Sequence, residues 1–225
     1  MTTEFYFSRL KNFPLFTGVD DTVLKNIAAS LDRPVTYRIG DTVMASTHQK
    51  NDVFLILQGR ARLLLPSVQG NIISYRDIEC FDYFGWLSAL DRQERLTDAI
   101  ALEDCEIWTI SAEQFHNILF MHPRIHENFM ARVASVIRYY TNRIHALTTL
   151  TARDRIIHDL IRRINLKTSQ IDITSHADLA TWTATSRETV TRTLLALERE
   201  GYILKDKHGY HLLKPLEASD NLPNF

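Results

Sequence analysis

Apolar and polar positions follow three different rhythms along the chain. Between Pro34 and Ile110 the apolar runs are short and partly alternating: Pro34–Ile39, Thr42–Met44, Asp52–Leu57, Arg60–Leu65, Asn71–Tyr75 and the stretch from Ala99 through Ile110. Turn residues separate them at Gly40-Asp41, Gln58-Gly59, Gln69-Gly70-Asn71 and Glu103-Asp104. Strands at this spacing predict an antiparallel, jelly-roll-like β-roll. On either side the period is helical. Residues 1–30 predict helix, with Asp20 or Asp21 as cap and Val23, Leu24 and Ile27 as an apolar stripe. Ser111–Phe120 predicts a short capped helix, and Pro123 suits the first turn of a long one. Along that helix Ile125, Phe129, Val133, Val136, Tyr140, Ile144 and Leu147 recur at steps of three and four. Such a heptad-like seam predicts a helix that pairs with a second copy of itself. Thr148–Thr151 reads as a hinge, and Ala152–Ile164 as a helix packed through Ile156, Ile157, Leu160, Ile161 and Ile164. Residues 215–225 read as a loose tail.

The third rhythm carries chemistry. Ser175–Thr181 predicts a short helix, Trp182–Ala184 a turn, and Thr185–Glu200 a second helix that ends at Gly201. Thr185 or Ser186 caps the second helix, and Glu188 lies three positions after Thr185, as a capping box requires. Val190, Leu194, Leu195 and Leu197 give it an apolar face, with Arg187, Glu188, Thr191 and Arg192 opposite. Helix, short turn, helix is a DNA-reading unit whose second helix enters the major groove. An arginine fork matches guanine O6 and N7, and a glutamate accepts from cytosine N4. Downstream, Ile203–Lys205 and Tyr210–Leu213 flank Asp206–Gly209, which predicts a hairpin wing carrying Lys205 and Lys207.

Ser186-Arg-Glu-Thr-Val-Thr-Arg192, followed by Leu197-Glu-Arg-Glu-Gly201, closely resembles the recognition helix of CRP/FNR-type bacterial transcription regulators. Phe13-Pro-Leu-Phe16 resembles that family's entry segment, and Gly40, Gly59 and Gly85 fall where its cyclic-nucleotide-binding β-roll has turn glycines. One departure is Ala184, where many relatives have Gly in the turn. The resemblance implies an α+β fold: an N-terminal antiparallel β-roll, a long central dimerisation helix and a C-terminal winged helix-turn-helix. The expected division is 1–120 for the effector domain, 121–150 for the dimerisation helix and hinge, and 151–225 for the DNA-binding domain. It also implies DNA contact by Ser186, Arg187, Glu188, Thr191, Arg192, Lys205 and Lys207 at palindromes with TGA in each arm. Thr191 replaces a small residue common at its place, and its methyl suits a thymine. The expected partners are double-stranded DNA, a second copy of the chain and RNA polymerase.

Phe81-Asp-Tyr-Phe-Gly-Trp-Leu-Ser-Ala-Leu90 with Gln93-Glu-Arg95 resembles the family's phosphate-binding cassette, with departures. Phe81 stands for the Gly before the Asp, Trp86 for the Glu that holds the ribose hydroxyl, and Leu96 for a Ser or Thr. Arg95 stands where an Arg pairs with the cyclic phosphate. Indole has one donor and no acceptor, so Trp86 cannot hold a ribose hydroxyl, and cyclic AMP is not the expected effector. Trp86 instead fills the pocket or stacks on another effector, with Arg95, Tyr139 and Tyr140 as further candidate contacts. The effector itself is left open.

Composition narrows the remaining classes. A net charge of −1 excludes a basic nucleic-acid coat. Basic residues nevertheless outnumber acidic ones between 151 and 214, and the reverse holds elsewhere, which suits phosphate contact by the C-terminal region. Cys80 and Cys105 provide neither a disulfide framework nor an iron–sulfur site. Leu87 stands where haem-binding relatives have His, and His116, His122 and His126 lack zinc spacing, so no haem or metal is expected. No apolar run reaches membrane length and no secretion signal opens the chain, which points to the cytoplasm. Phosphate-loop, dinucleotide, metalloprotease and serine-hydrolase motifs do not occur, so an enzyme is not expected. The rival reading is a ligand-binding or protein-interaction module whose helix-turn-helix does not read bases.

Overall fold

Strand Val53–Gln58 shows how the N-terminal region is built. Its residues alternate between two cores, as a pleated strand buried on both faces requires. Val53, Leu55 and Leu57 enter one apolar cluster, and Phe54 and Ile56 enter another. In the computed structural model, residues 3–47, 50–66 and 72–216 are described. They fall into two compact units, 1–136 and 137–225.

Unit 1 begins with α1 (Thr3–Leu10), a 3-10 turn at Pro14–Phe16, and α2 (Asp21–Ser30), which Asp20 caps by accepting from the Thr22 N–H. Next come β1 (Val35–Tyr37), β2 (Thr42–Met44), β3 (Val53–Gln58), β4 (Ala61–Pro66), β5 (Ile72–Ile78) and β6 (Tyr83–Phe84). Then follow α3 (Trp86–Asp91), β7 (Asp98–Ala101), β8 (Cys105–Ile110), α4 (Ala112–Met121) and α5 (Pro123–Thr149). The strands form two four-stranded antiparallel sheets in the orders β1-β8-β3-β6 and β2-β7-β4-β5. One core lies between the sheets. The other packs the first sheet against the helices through Leu10, Phe13, Leu24, Trp108, Phe115 and Ile125. Ser111 and Gln114 close a reciprocal capping box at the start of α4. The expected turn at Gln69–Asn71 and the tail after Leu216 lie outside the described residues.

Unit 2 contains the C-terminal end of α5, α6 (Ala152–Arg162), β9 (Gln170–Ile171), α7 (His176–Thr183), α8 (Arg187–Arg199), β10 (Ile203–Asp206) and β11 (Gly209–Leu212). The strands form a sheet ordered β10-β11-β9. Three helices pack on it through Ile156, Leu160, Leu179, Val190, Leu194, Leu197 and Ile203. The α+β architecture of β-roll, long helix and winged helix-turn-helix is therefore the one expected from the sequence.

Three local expectations need correction. The long-helix seam does not begin at Ile125, because Ile125 and Phe129 are buried in the core of unit 1 itself. A step of three and four marks a buried helix face without telling whose core it enters. Of the expected positions Ile144 stays open at 62% exposure, and two residues one step from expected ones, Met130 and Ile137, are 50% and 60% exposed. They alternate with Val133, Tyr140 and Leu147 in an a/d heptad that contains Ile137 in place of Val136. Second, Leu195 lies outside the core at 46% exposure. Third, the α8 cap is Ser186, which accepts from the Thr189 N–H at 3.1 Å, so Thr185 and Glu188 do not form a capping box.

Candidate nucleic-acid interface and effector cavity

The turn between α7 and α8 sets the direction of the second helix. Ala184 adopts φ 48° and ψ 55°, the left-handed region that an L-residue with a Cβ enters at a cost. Arg155 of α6 supports this turn. Its Nε donates to the Thr183 carbonyl at 2.9 Å, its Nη2 to that of Ala184 at 3.2 Å, and its Nη1 to that of Leu150 at 2.9 Å. Ala184→Gly is expected to relieve the turn and raise stability by about 1 kcal/mol. Calorimetry that shows an unchanged or lower melting temperature would refute strain at this position.

Beyond the turn, Ser186 starts α8, and Val190, Leu194 and Leu197 sink into the unit 2 core. That burial turns Arg187, Glu188 and Arg192 outward, all three exposed. The Glu188 carboxyl titrates below its usual range because its own backbone N–H and the Ser186 hydroxyl donate to it, with Arg187 and Arg192 adding positive charge nearby. It is thus an ionised acceptor beside two guanidinium donors. Thr191 lies on the same helix but is tied inward. Its hydroxyl donates to the Arg187 carbonyl at 2.9 Å and meets His176 Nδ1 at 2.9 Å. In the wing, Lys205 is on β10 and Lys207 in the turn to β11, and both are exposed. Asp206 fixes that turn by accepting from the His208 N–H at 2.7 Å.

Trp86 and Arg95 belong to unit 1, and Tyr139 and Tyr140 to unit 2. In unit 1 a cavity of about 450 Å³ is lined by Tyr37, Val43, Met44, Lys50, Asp52, Phe54, Arg95 and Thr109. Arg95 is buried there, and its donors are already used. Nε donates to the Lys50 carbonyl at 3.1 Å, and Nη2 to those of Lys50 and Asp52 at 2.8 and 2.7 Å. Nη1 faces the Met44 sulfur at 2.9 Å and the Gly85 carbonyl at 3.5 Å. A guanidinium has five N–H donors, and five contacts occupy them. Gly85 permits this approach. At φ 84° it starts α3, and a Cβ there would lie 2.7 Å from the Asp52 carbonyl oxygen and 3.1 Å from Arg95 Nη1. Trp86 is not a wall of the cavity. It packs on the aromatic core, edge-on to Phe129 with ring centroids 5.4 Å apart. Of the two readings open for Trp86, the geometry fits core. Leu96 is exposed. Tyr139 and Tyr140 belong to unit 2 and stand edge-on to each other at 5.0 Å. Tyr139 lines a separate cavity of about 430 Å³ with Arg143 and Trp182.

Cys80 and Cys105 are free thiols, and no group of His, Cys, Asp or Glu that could hold a metal occurs among the described residues. Among them no helix is long and apolar enough to cross a membrane. His176 and Tyr210, which brace Thr191, have no local motif that would mark them in the sequence.

A β-roll with a modified phosphate cassette, followed by a long helix and a winged helix-turn-helix with an outward Arg-Glu-Arg set, defines a class of bacterial transcription regulators. The family description for the cyclic nucleotide-binding domain matches residues 34–122, and that for the Crp-like helix-turn-helix domain matches residues 132–217. The chain belongs to the CRP/FNR family of transcription regulators. It is 27% identical over 194 residues to the cyclic AMP receptor protein of Thermus thermophilus, covering 86% of this chain and 89% of that one. The crystal structure of the Thermus thermophilus catabolite activator protein matches with TM-score 0.55 and 25% identity, over 88% of this chain and 93% of that one. The fold is also that of the c-di-GMP responsive global regulator CLP of Xanthomonas campestris, at TM-score 0.74 and 18% identity, over 87% and 100% of the two chains.

Proposed function

We propose that the chain is a cytoplasmic, homodimeric, sequence-specific DNA-binding regulator that reads palindromes with TGA in each arm, in concert with RNA polymerase. The observation that carries this reading is the outward set Arg187, Glu188 and Arg192 on α8, held there by burial of Val190, Leu194 and Leu197. The two arginines suit the guanines of a half-site, and Glu188 suits the cytosine opposite. Lys205 and Lys207 on the wing suit phosphates, which position the protein without reading sequence. The open heptad on α5 supports a parallel pair, which places two recognition helices about 34–36 Å apart, one turn of DNA. In this reading 1–120 is the effector domain, 121–150 the dimerisation segment and 151–225 the DNA-binding domain. In this reading the effector is not cyclic AMP, since Trp86 packs against the unit 1 core and Arg95 is committed to carbonyls.

The test is selection from random DNA with wild type and Arg192→Ala side by side. Wild type is expected to enrich a TGA palindrome. The variant is expected to lose about 1–3 kcal/mol per half-site and to relax its preference at one guanine. Equal enrichment of the same motif by both proteins would show that α8 is not the reading helix.

A further inference from the structure

We propose that His176 and Tyr210 are specificity-positioning residues: they lock the Thr191 hydroxyl inward, so that only its methyl group can meet a base. This rests on the reading of α8 as the DNA-reading helix. The three residues come from three elements, the first turn of α7, the middle of α8 and strand β11. His176 Nε2 lies 2.9 Å from the Tyr210 hydroxyl, and Nδ1 lies 2.9 Å from the Thr191 hydroxyl. Thr191 donates its single proton to the Arg187 carbonyl at 2.9 Å. It must therefore accept from His176, so Nδ1 carries the ring proton and Nε2 accepts from Tyr210. One tautomer of a neutral imidazole satisfies all three contacts. Burial, together with the positive charges of Lys205 and Arg187, keeps the ring neutral by pushing its pKa below the usual value. Tyr210 is itself buried in the unit 2 core, with the Lys205 ammonium 5.3 Å from its ring centre, so the far end of the chain of contacts is fixed.

The consequence is a choice between two ways of reading one base. A threonine with a free hydroxyl can donate to or accept from any base edge, and discriminates weakly. With its proton given to Arg187 and its oxygen engaged by His176, Thr191 offers DNA an apolar group. A methyl group selects the C5-methyl of thymine, and burying one such group is worth about fourfold in binding. His176 and Tyr210 need not touch DNA to set this preference.

The experiment is selection from random DNA, reading the thymine preference at the one base that depends on Thr191, with the rest of the motif as internal control. Thr191→Val has the methyl without the hydroxyl and is expected to keep the preference. His176→Ala removes the donor to the Thr191 oxygen and leaves that oxygen open to accept from a base, and Tyr210→Phe removes the donor that fixes the His176 tautomer. They are expected to reduce the roughly fourfold preference toward none, while the guanines assigned to Arg187 and Arg192 stay selected. Tyr210→Phe removes a single oxygen, and thermal melting identifies any variant that fails to fold. Loss of the preference in Thr191→Val, or its full retention in both Tyr210→Phe and His176→Ala, would overturn the proposal and leave the DNA reading intact. A wild-type protein that enriches no motif would overturn the DNA reading and this inference with it.

Discussion

Ile137→Glu combined with Ile144→Glu is expected to run as a monomer in size-exclusion chromatography with light scattering, where the wild type runs as a dimer at micromolar concentration. Both side chains are about two-thirds exposed, and each is an a position of the heptad that Met130, Val133, Tyr140 and Leu147 complete. In a parallel pair an a residue faces its own copy, so each substitution sets two carboxylates together in an apolar seam. DNA affinity should fall with assembly. Two linked half-site contacts gain about 10²–10⁴ over one through effective concentration, and the monomer forfeits that gain. Ile125 and Phe129 are unsuitable for this test, because glutamate there would unfold unit 1 rather than separate the protomers. A wild-type monomer, or a double variant that remains dimeric and binds its palindrome normally, would end the dimer proposal.

Arg95→Ala is expected to lower the stability of unit 1 by about 3 kcal/mol, whatever nucleotide is present. The substitution strips donors from the carbonyls of Lys50 and Asp52 and opens the space beside Met44 and Phe54. A lost partner at each of two part-buried acceptors, together with lost packing, accounts for that magnitude. In calorimetry it corresponds to about 10 °C for a domain of this size. Arg95→Lys should recover little, since an ammonium cannot span three carbonyls as the guanidinium fork does. A residue kept to meet a phosphate would behave otherwise. Its removal would leave the melting temperature unchanged and abolish a nucleotide-induced rise. Wild type that melts higher with millimolar cyclic AMP, alongside an Arg95→Ala variant of normal stability, would refute the clamp.

The helix-turn-helix was legible because its signals are local. Ser175 and Ser186 cap, Gly201 ends the helix, and Val190, Leu194 and Leu197 recur at helical spacing within a few turns. The β-roll was legible at the level of strands, since Gly59 and Gly85 hold the positive φ that their turns need. What escaped lies in contacts between distant segments. Strand β9 is two residues long and exists because β11 pairs with it, so it has no pattern of its own. Ile125 and Phe129 on α5 were read as open because burial inside one chain and burial between two chains leave the same period. Arg95 was singled out by its place in the cassette, but its carbonyl partners are the backbone groups at 50, 52 and 85, which no side-chain pattern encodes. The bracing of Thr191 by His176 and Tyr210 was invisible for the same reason.

The strand order of unit 1 also bears on how the chain acquires its structure. Val35 of β1 pairs with Ile107 of β8, and Thr42 of β2 pairs with Ile100 of β7. The first strands made therefore await almost the last, and closing so long a loop precedes any reward from the pairing. Unit 2 has less of this delay, because only the short β9 waits for β11, while α7 packs on α8 and β10 turns directly into β11. During synthesis β1 and β2 emerge with unpaired edges and must stay apart from other chains until β7 and β8 follow. Slow refolding and aggregation of this protein should thus originate in the β-roll, with the DNA-reading unit already formed.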